Sequence, residues 1–323
     1  MTTIIYDKYK YQNINLISKG AFGKIYKGNN LEDDSEIIIK TVNKLKVNIN
    51  LLNNEIDVLY KLKDYCIDYI VCIKDVFDID SEKFIIMEYL ENYIDIFEFK
   101  LEKEIEISSF EDYNMIFNGL INGLKLIHSL NVIHKDIKPE NILINTITLK
   151  IKYIDFGFSE TRDSFEKKDD DEKGNLNGTP EYLDLVYFRN VMSRREGWSD
   201  YVITFDDLIN ADIWALGIVI YFLITSTNPF NVYLNNGIKS DSHKEKMIEL
   251  FGKFGIYYGE YLGLYLVTYN YNTTNTQLIS IFKDNKLQID GVLEKVNEIR
   301  SRNGEKEINL SKLLNFDTSE RKL

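Results

Sequence analysis

His134-Lys135-Asp136-Ile137-Lys138-Pro139-Glu140-Asn141, with Asp155-Phe156-Gly157 nineteen residues after Asp136, is the stretch on which the reading of this chain turns. Its residue types suit one chemistry. A carboxylate such as Asp136 can accept the proton of an attacking hydroxyl, and Lys138 can balance charge on a transferring phosphoryl group. Asn141 and Asp155 add oxygen ligands of the kind magnesium prefers. Upstream, Ser18-Lys19-Gly20-Ala21-Phe22-Gly23-Lys24-Ile25 lies between two strand candidates, where glycines let backbone amides approach phosphate oxygens. Taken alone, such a loop reads equally well as a plain hairpin. Ile37-Ile38-Ile39-Lys40 ends an apolar strand in a lysine, and Glu55 follows fifteen residues later on a predicted helix. An ion pair between them would aim the ammonium at a phosphate, whereas unpaired they are two solvated surface charges.

Working outward, Tyr11 to Ile17, Lys24 to Lys27 and Glu36 to Thr41 read as strands separated by Gly, Asn and Asp turn clusters. Leu51, Leu52, Ile56, Leu59 and Leu62 give Asn48 to Leu62 a helical spacing, and Ile70 to Phe77 and Phe84 to Glu88 return to strand. After Glu91 the pattern is mainly helical. One helix, marked by Ile116, Leu120, Leu124 and Ile127, ends near Asn131, and helical segments resume from Leu208. Val132 to Ile154 is a strand-like interlude, and the polar stretch between Ser159 and Asn177 reads as a solvated loop. An Asn- and Tyr-rich region lies around Tyr265 to Gln277.

The order of glycine loop, strand lysine, helix glutamate, catalytic-loop Asp and Asn, then Asp-Phe-Gly resembles the eukaryotic-type protein kinase family, serine/threonine class, over residues 11 to 321. The resemblance implies an α+β, bilobal fold: a small antiparallel sheet with one helix at 11–90, and a larger, mainly helical lobe at 91–323. It implies ATP and Mg2+ in the cleft and transfer of the γ-phosphoryl group to a protein Ser or Thr hydroxyl. In these terms Asp136 and Lys138 are catalytic, and Asn141 and Asp155 hold metal. Ser18, Gly20, Phe22, Gly23 and Ile25 belong to the nucleotide loop, with Lys40 and Glu55 positioning the phosphates. Met87, Glu88 and Leu90 look like the gatekeeper and the hinge that binds adenine through its backbone. Gly178-Thr179-Pro180-Glu181-Tyr182 looks like the substrate-facing loop, and Asp212-Ile213-Trp214-Ala215-Leu216-Gly217 matches the central anchoring helix. Leu59, Ile73, His134 and Phe156 are then expected to stack between the lobes, with Asp212 holding the catalytic-loop backbone. His128 and His243 carry no motif. Lys138 and Thr179 favour Ser/Thr over Tyr as acceptor, with dual specificity open. A small-molecule kinase of related fold is the lesser match, because such relatives generally lack Lys-Pro-Glu-Asn and the Gly-Thr-Pro loop.

Departures from the family pattern motivate a second reading, a pseudokinase that works as a binding scaffold. Ser18 replaces the first glycine. Lys135 replaces an arginine that would grip a phosphorylated loop residue bidentately, so the acidic run Asp169 to Glu172 is a candidate substitute charge for it. Asp184-Leu185-Val186 stands where Ala-Pro-Glu is usual, which leaves Arg321 to find another carboxylate or reach solvent. About a dozen extra residues fall between Val186 and Asp212, including Arg189, Arg194 and Arg195, a surface loop or a site for acidic substrates. Phe222 occupies a position where Arg-directed kinases often carry Glu, so strong Arg-directed specificity is not expected. The short stretch after Arg321 suggests a shortened or truncated last helix.

Composition agrees with a folded chain. Hydrophobic residues are 44% and aromatic residues 13%, too many for disorder. A net charge of −12 argues against broad binding to nucleic acid or anionic membrane. Trp214 to Ile224, the longest apolar run, is shorter than a bilayer span, and Met1 to Lys10 has no signal-like apolar run. Two cysteines, Cys66 and Cys72, cannot build a disulfide framework, from which the expected setting is cytoplasmic or another reducing intracellular compartment. The sequence does not specify an oligomeric state.

Overall fold

The computed structural model describes residues 4–6, 11–19, 23–195, 197, 199–228, 285–314 and 318–323. Gly20, Phe22, His243 and the region 265–277 therefore lie outside the described residues. The chain opens with β1 (Ile4–Tyr6), β2 (Tyr11–Lys19), β3 (Gly23–Asn30) and β4 (Glu36–Asn43). Helix α1 (Ile49–Leu62), β5 (Ile73–Ile79) and β6 (Glu82–Glu88) follow. The six strands form one antiparallel sheet in the order β1-β2-β3-β4-β6-β5. Alternation in β4 buries Ile37 and Ile39 with Phe77, Phe84 and Ile86 in a small core of this lobe. Asn48, whose side chain accepts the Asn50 amide at 2.9 Å, caps α1 and fixes its start one residue later than the apolar spacing predicts. Leu52, Ile56, Leu59 and Leu62 make the buried face of α1, and Glu55 is buried among them.

The second lobe contains β7 (Tyr93–Asp95), α2 (Phe110–Ser129), β8 (Val132–Ile133), β9 (Ile142–Asn145), β10 (Ile151–Tyr153) and β11 (Glu160–Thr161). The strand-like interlude is thus three short strands, and the loop 134–141 is slung between the first two. The sequence 162–173 is not an extended solvated loop. Thr161 and Asp169 cap two short helices, α3 (Arg162–Glu166) and α4 (Asp170–Lys173), and Phe165 of α3 is buried. Further on come α5 (Leu185–Arg195), α6 (Phe205–Thr225), α7 (Lys286–Arg302) and α8 (Leu310–Leu313). A reciprocal Thr204–Asp207 capping box starts α6, which from Ile213 to Ile224 is apolar all round because it is surrounded. By length and composition α6 could cross a bilayer, but most of it is buried inside the protein. Gly217 admits α8: a β-carbon there would stand 2.8 Å from a Leu314 methyl.

The two cysteines too few for a framework are joined as a single disulfide, Cys66–Cys72, closing the loop between α1 and β5. The extra residues after Val186 are not a bare surface loop either. They extend α5, which buries Tyr187, Phe188, Val191 and Met192, and its arginines are engaged. Arg194 pairs with Asp170 and Asp171, and Arg195 donates to the Gly174 carbonyl at 3.0 Å. Arg321 also finds a carboxylate. Asp184 accepts from both terminal guanidinium nitrogens, at 2.6 and 2.9 Å, with both residues buried. Breaking such a pair leaves one buried charge uncompensated. Asp184→Asn is expected to cost about 3–5 kcal/mol in urea unfolding, with Asp184→Leu/Arg321→Met nearer to wild type than either single variant.

Candidate active site

The site is assembled on a carboxylate that takes no part in the chemistry read from the sequence. Asp212, in the buried middle of α6, accepts the amides of His134 at 2.8 Å and Lys135 at 2.9 Å, and the His128 Nε2 lies 3.0 Å from it. Lys135 has φ of 68°, a left-handed conformation unfavourable for a side-chain-bearing residue, and the hydrogen bond its backbone N–H donates to Asp212 helps to hold it there. His134 is fully buried, with its ring 4.9 Å from that of Phe156 and Nε2 3.0 Å from the Ile154 carbonyl. Leu59 and Ile73 are buried in the same core. His128, which no motif singles out, thus belongs to the support of the loop.

Asp136 is buried and surrounded by donors. Its Oδ1 accepts the Thr179 amide at 2.9 Å and the Thr179 hydroxyl at 2.8 Å. Its Oδ2 accepts the Asn141 amide at 2.8 Å and lies 3.2 Å from Lys138 Nζ. Lys138 also donates to the Thr179 hydroxyl at 2.7 Å, so Asp136, Lys138, Asn141 and Thr179 share one network. Gly178 makes this approach possible. With φ of 103°, it lies so close to the catalytic loop that a β-carbon would be 2.5 Å from the Lys135 carbonyl oxygen.

Between the lobes, Lys40 Nζ on β4 lies 2.6 Å from Glu55 Oε1 on α1 and 3.3 Å from Asp155 Oδ1. Burial disfavours the charge on Lys40, but the two carboxylates outweigh it and hold the pKa above the ordinary lysine value. Burial likewise opposes ionisation of Asp155, and Lys40 reverses it, leaving that carboxyl below the usual aspartate range. Asp155 also has positive φ, 57°, and half of its side chain faces solvent. Ser18 and Lys40 both pair with Ile25 across the sheet, while Gly23 pairs with Val42. Met87, Glu88 and Leu90 follow in the last residues of β6 and just beyond, all half-buried.

Lys135 does not use the acidic run. Its ammonium lies 3.3 Å from Glu160, a buried carboxylate on β11 that Lys168 also contacts, while Asp170 and Asp171 are taken by Arg194. Burial lowers the pKa of Lys135 despite Glu160. Phe222 is also buried, stacked on Phe97 with ring centroids 6.2 Å apart, so its position offers no polar contact to a substrate.

Among the described residues no cluster of three or more His, Cys, Asp or Glu forms a ready-made metal cage. The donors that fit magnesium are fewer and harder. Asn141 spends its amide nitrogen on Asp136, which leaves its carbonyl oxygen, and Asp155 supplies an ionised carboxylate.

A family model for the protein kinase domain matches residues 11–321. The human serine/threonine-protein kinase ULK1 is 26% identical over 257 residues, covering 75% of this chain and 22% of that protein. CBL-interacting protein kinase 10 of Oryza sativa subsp. japonica is 27% identical over 225 residues, 68% of this chain and 45% of its own. CBL-interacting serine/threonine-protein kinase 20 of Arabidopsis thaliana is 27% identical over 248 residues, 76% and 48%. The chain spans less than half the length of each of these relatives.

The Lys135 network makes a sharp contrast in stability. Glu160→Gln, which strands buried lysine charge, is expected to cost about 3–5 kcal/mol in urea unfolding. Changing Asp169, Asp170 and Asp171 to Asn and Glu172 to Gln together should cost about 1 kcal/mol or less, because an asparagine side chain at the first of these positions still caps α4.

Proposed function

This chain belongs to the protein kinase family, and we propose that it is a competent serine/threonine kinase that transfers the γ-phosphoryl group of ATP to a protein hydroxyl. The observation that carries this reading is the joint network of Asp136, Lys138, Asn141 and Thr179, beside a closed Lys40–Glu55–Asp155 ion-pair set. A scaffold has no need of that combination. One motive for the scaffold reading is the missing Ala-Pro-Glu glutamate, and Asp184 supplies Arg321 with a carboxylate two residues earlier.

In the proposed reaction Asp136 orients the substrate hydroxyl and receives its proton as the oxygen bonds to the γ-phosphorus. The bond from that phosphorus to the bridging oxygen breaks, and ADP leaves with the bond's electron pair. Lys138, already turned toward Asp136 and Thr179, neutralises charge on the transferring group. Lys40, its ammonium fixed by Glu55, positions the α- and β-phosphates. The backbone of Glu88 to Leu90 receives adenine, and the strands carrying Ser18, Gly23 and Ile25 cover the phosphates. Asn141 and Asp155 would hold magnesium, which when bound screens the negative charge of the phosphates.

Radiolabelled ATP with magnesium, offered with casein, histone and myelin basic protein, tests the reading. The expected result is label on Ser or Thr, reduced about 10²- to 10⁴-fold by Asp136→Asn. Folded wild-type protein that binds ATP and transfers nothing would favour the scaffold, or a kinase that lacks its activator, over this reading.

A further inference from the structure

Lys152 is a charged residue in an otherwise apolar strand. On β10 it lies between Ile151 and Tyr153, which are buried, and it is itself only 5% exposed. Its ammonium has three acceptors, one for each N–H: the Cys66 carbonyl at 2.9 Å, the Ile70 carbonyl at 3.1 Å and Glu88 Oε1 at 2.6 Å. Glu88 is bound from the same direction by its backbone. Cys72 N donates to Glu88 Oε1 at 2.9 Å, and Glu88 N donates to the Cys72 carbonyl at 3.0 Å. The loop 66–72, closed by its disulfide, is laced to β10 as well, through Val71 N to the Tyr153 carbonyl and Tyr153 N to the Tyr69 carbonyl. One buried ammonium therefore ties together the strand leading to Asp155, the loop after α1 and the start of the interlobe connection.

A buried ion pair is a poor way to gain stability, since a methionine of similar length would pack in the strand without desolvating a charge. What the pair gives is a fixed position for Glu88. We propose that Lys152 is a positioning residue for adenine recognition, holding the Glu88 backbone in register for the base while making no contact with nucleotide itself. The proposal rests on the reading of Glu88 to Leu90 as the adenine-binding segment. Without the ammonium, the Glu88 carboxylate keeps only the Cys72 amide as donor and the two carbonyls lose theirs, so the Glu88 backbone is held less tightly in register.

Adenosine, which lacks phosphates, isolates this effect. Isothermal titration should show adenosine binding to wild type, weakened about tenfold in Lys152→Met, with the ATP KM raised by a similar factor and kcat within about twofold. Glu88→Gln retains an oxygen acceptor for Lys152 and should lose about threefold, a milder variant that guards against misfolding of the first. Lys40→Met, which acts on phosphates, should leave adenosine affinity unchanged while weakening ATP. Equal adenosine affinity in wild type, folded Lys152→Met and Glu88→Gln would overturn the inference and leave the kinase reading standing. A parallel fall in kcat and in folded fraction, with the ATP KM unchanged, would also overturn it, by assigning Lys152 to stability alone. Wild-type protein that binds no adenosine would instead remove the adenine-segment reading itself.

Discussion

Asp212 is a carboxylate buried in the most apolar of the described helices, and the loop 134–141 hangs from it. Its oxygens receive the amides of His134 and Lys135, and His128 reaches it from the end of α2. Those bonds hold the loop where Lys135 has positive φ and the next residue, Asp136, meets Thr179. A carboxylate in such a place is costly unless its lone pairs are filled, and filling them is what converts a core helix into an anchor. The apolar packing of α6 fixes where Asp212 stands. Asp212 fixes where the loop stands, and the loop presents Asp136, Lys138 and Asn141 together.

The same logic recurs where this chain departs from its family. Charge is kept in place, although its carrier in the sequence is not. Asp184 answers Arg321 although it lies two residues before the position where the family carries its glutamate. Glu160 answers Lys135 from the adjoining strand β11, paired directly with β8 just ahead of the catalytic loop. In each case a cation is buried in the second lobe, and burial permits only a near and well-aligned carboxylate as partner. The acidic run of α4, being exposed, had no such constraint, and it meets Arg194 of α5 instead.

This contrast explains what could be read from the sequence. That Asp136, Lys138 and Asn141 lie together, with Asp155 just past β10, is legible because the proposed phosphoryl transfer needs such groups at close spacing in the sequence. The strands and α1 are legible because alternation and helical spacing are local, and the shift of one residue at α1 comes from a cap. The anchoring partners are different. Glu160 lies 25 residues from Lys135, Lys152 lies 64 from Glu88 and Asp184 lies 137 from Arg321. No periodicity connects such pairs, and only the folded chain brings them together. The need for a partner is legible at Arg321 and at Lys135, but which carboxylate serves is not. The two helices of 162–173 are not legible because polar side chains cap them and few apolar residues mark them.

The strand β10 now takes on a larger part than its three residues suggest. Toward one side, Lys152 reaches the loop after α1 and the start of the interlobe connection. Two residues past its end, Asp155 reaches Lys40 on β4, and through Lys40 meets Glu55 on α1. A short segment of the second lobe thus makes charged contacts to the first lobe at both the base end and the phosphate end of the proposed nucleotide site. Because β10 is hydrogen-bonded to β9, and β9 begins directly after Asn141, the same segment also supports the oxygen donors proposed for magnesium. Nucleotide, metal and acceptor hydroxyl would then be positioned against one shared element, and a displacement of either lobe relative to it would be felt at all three.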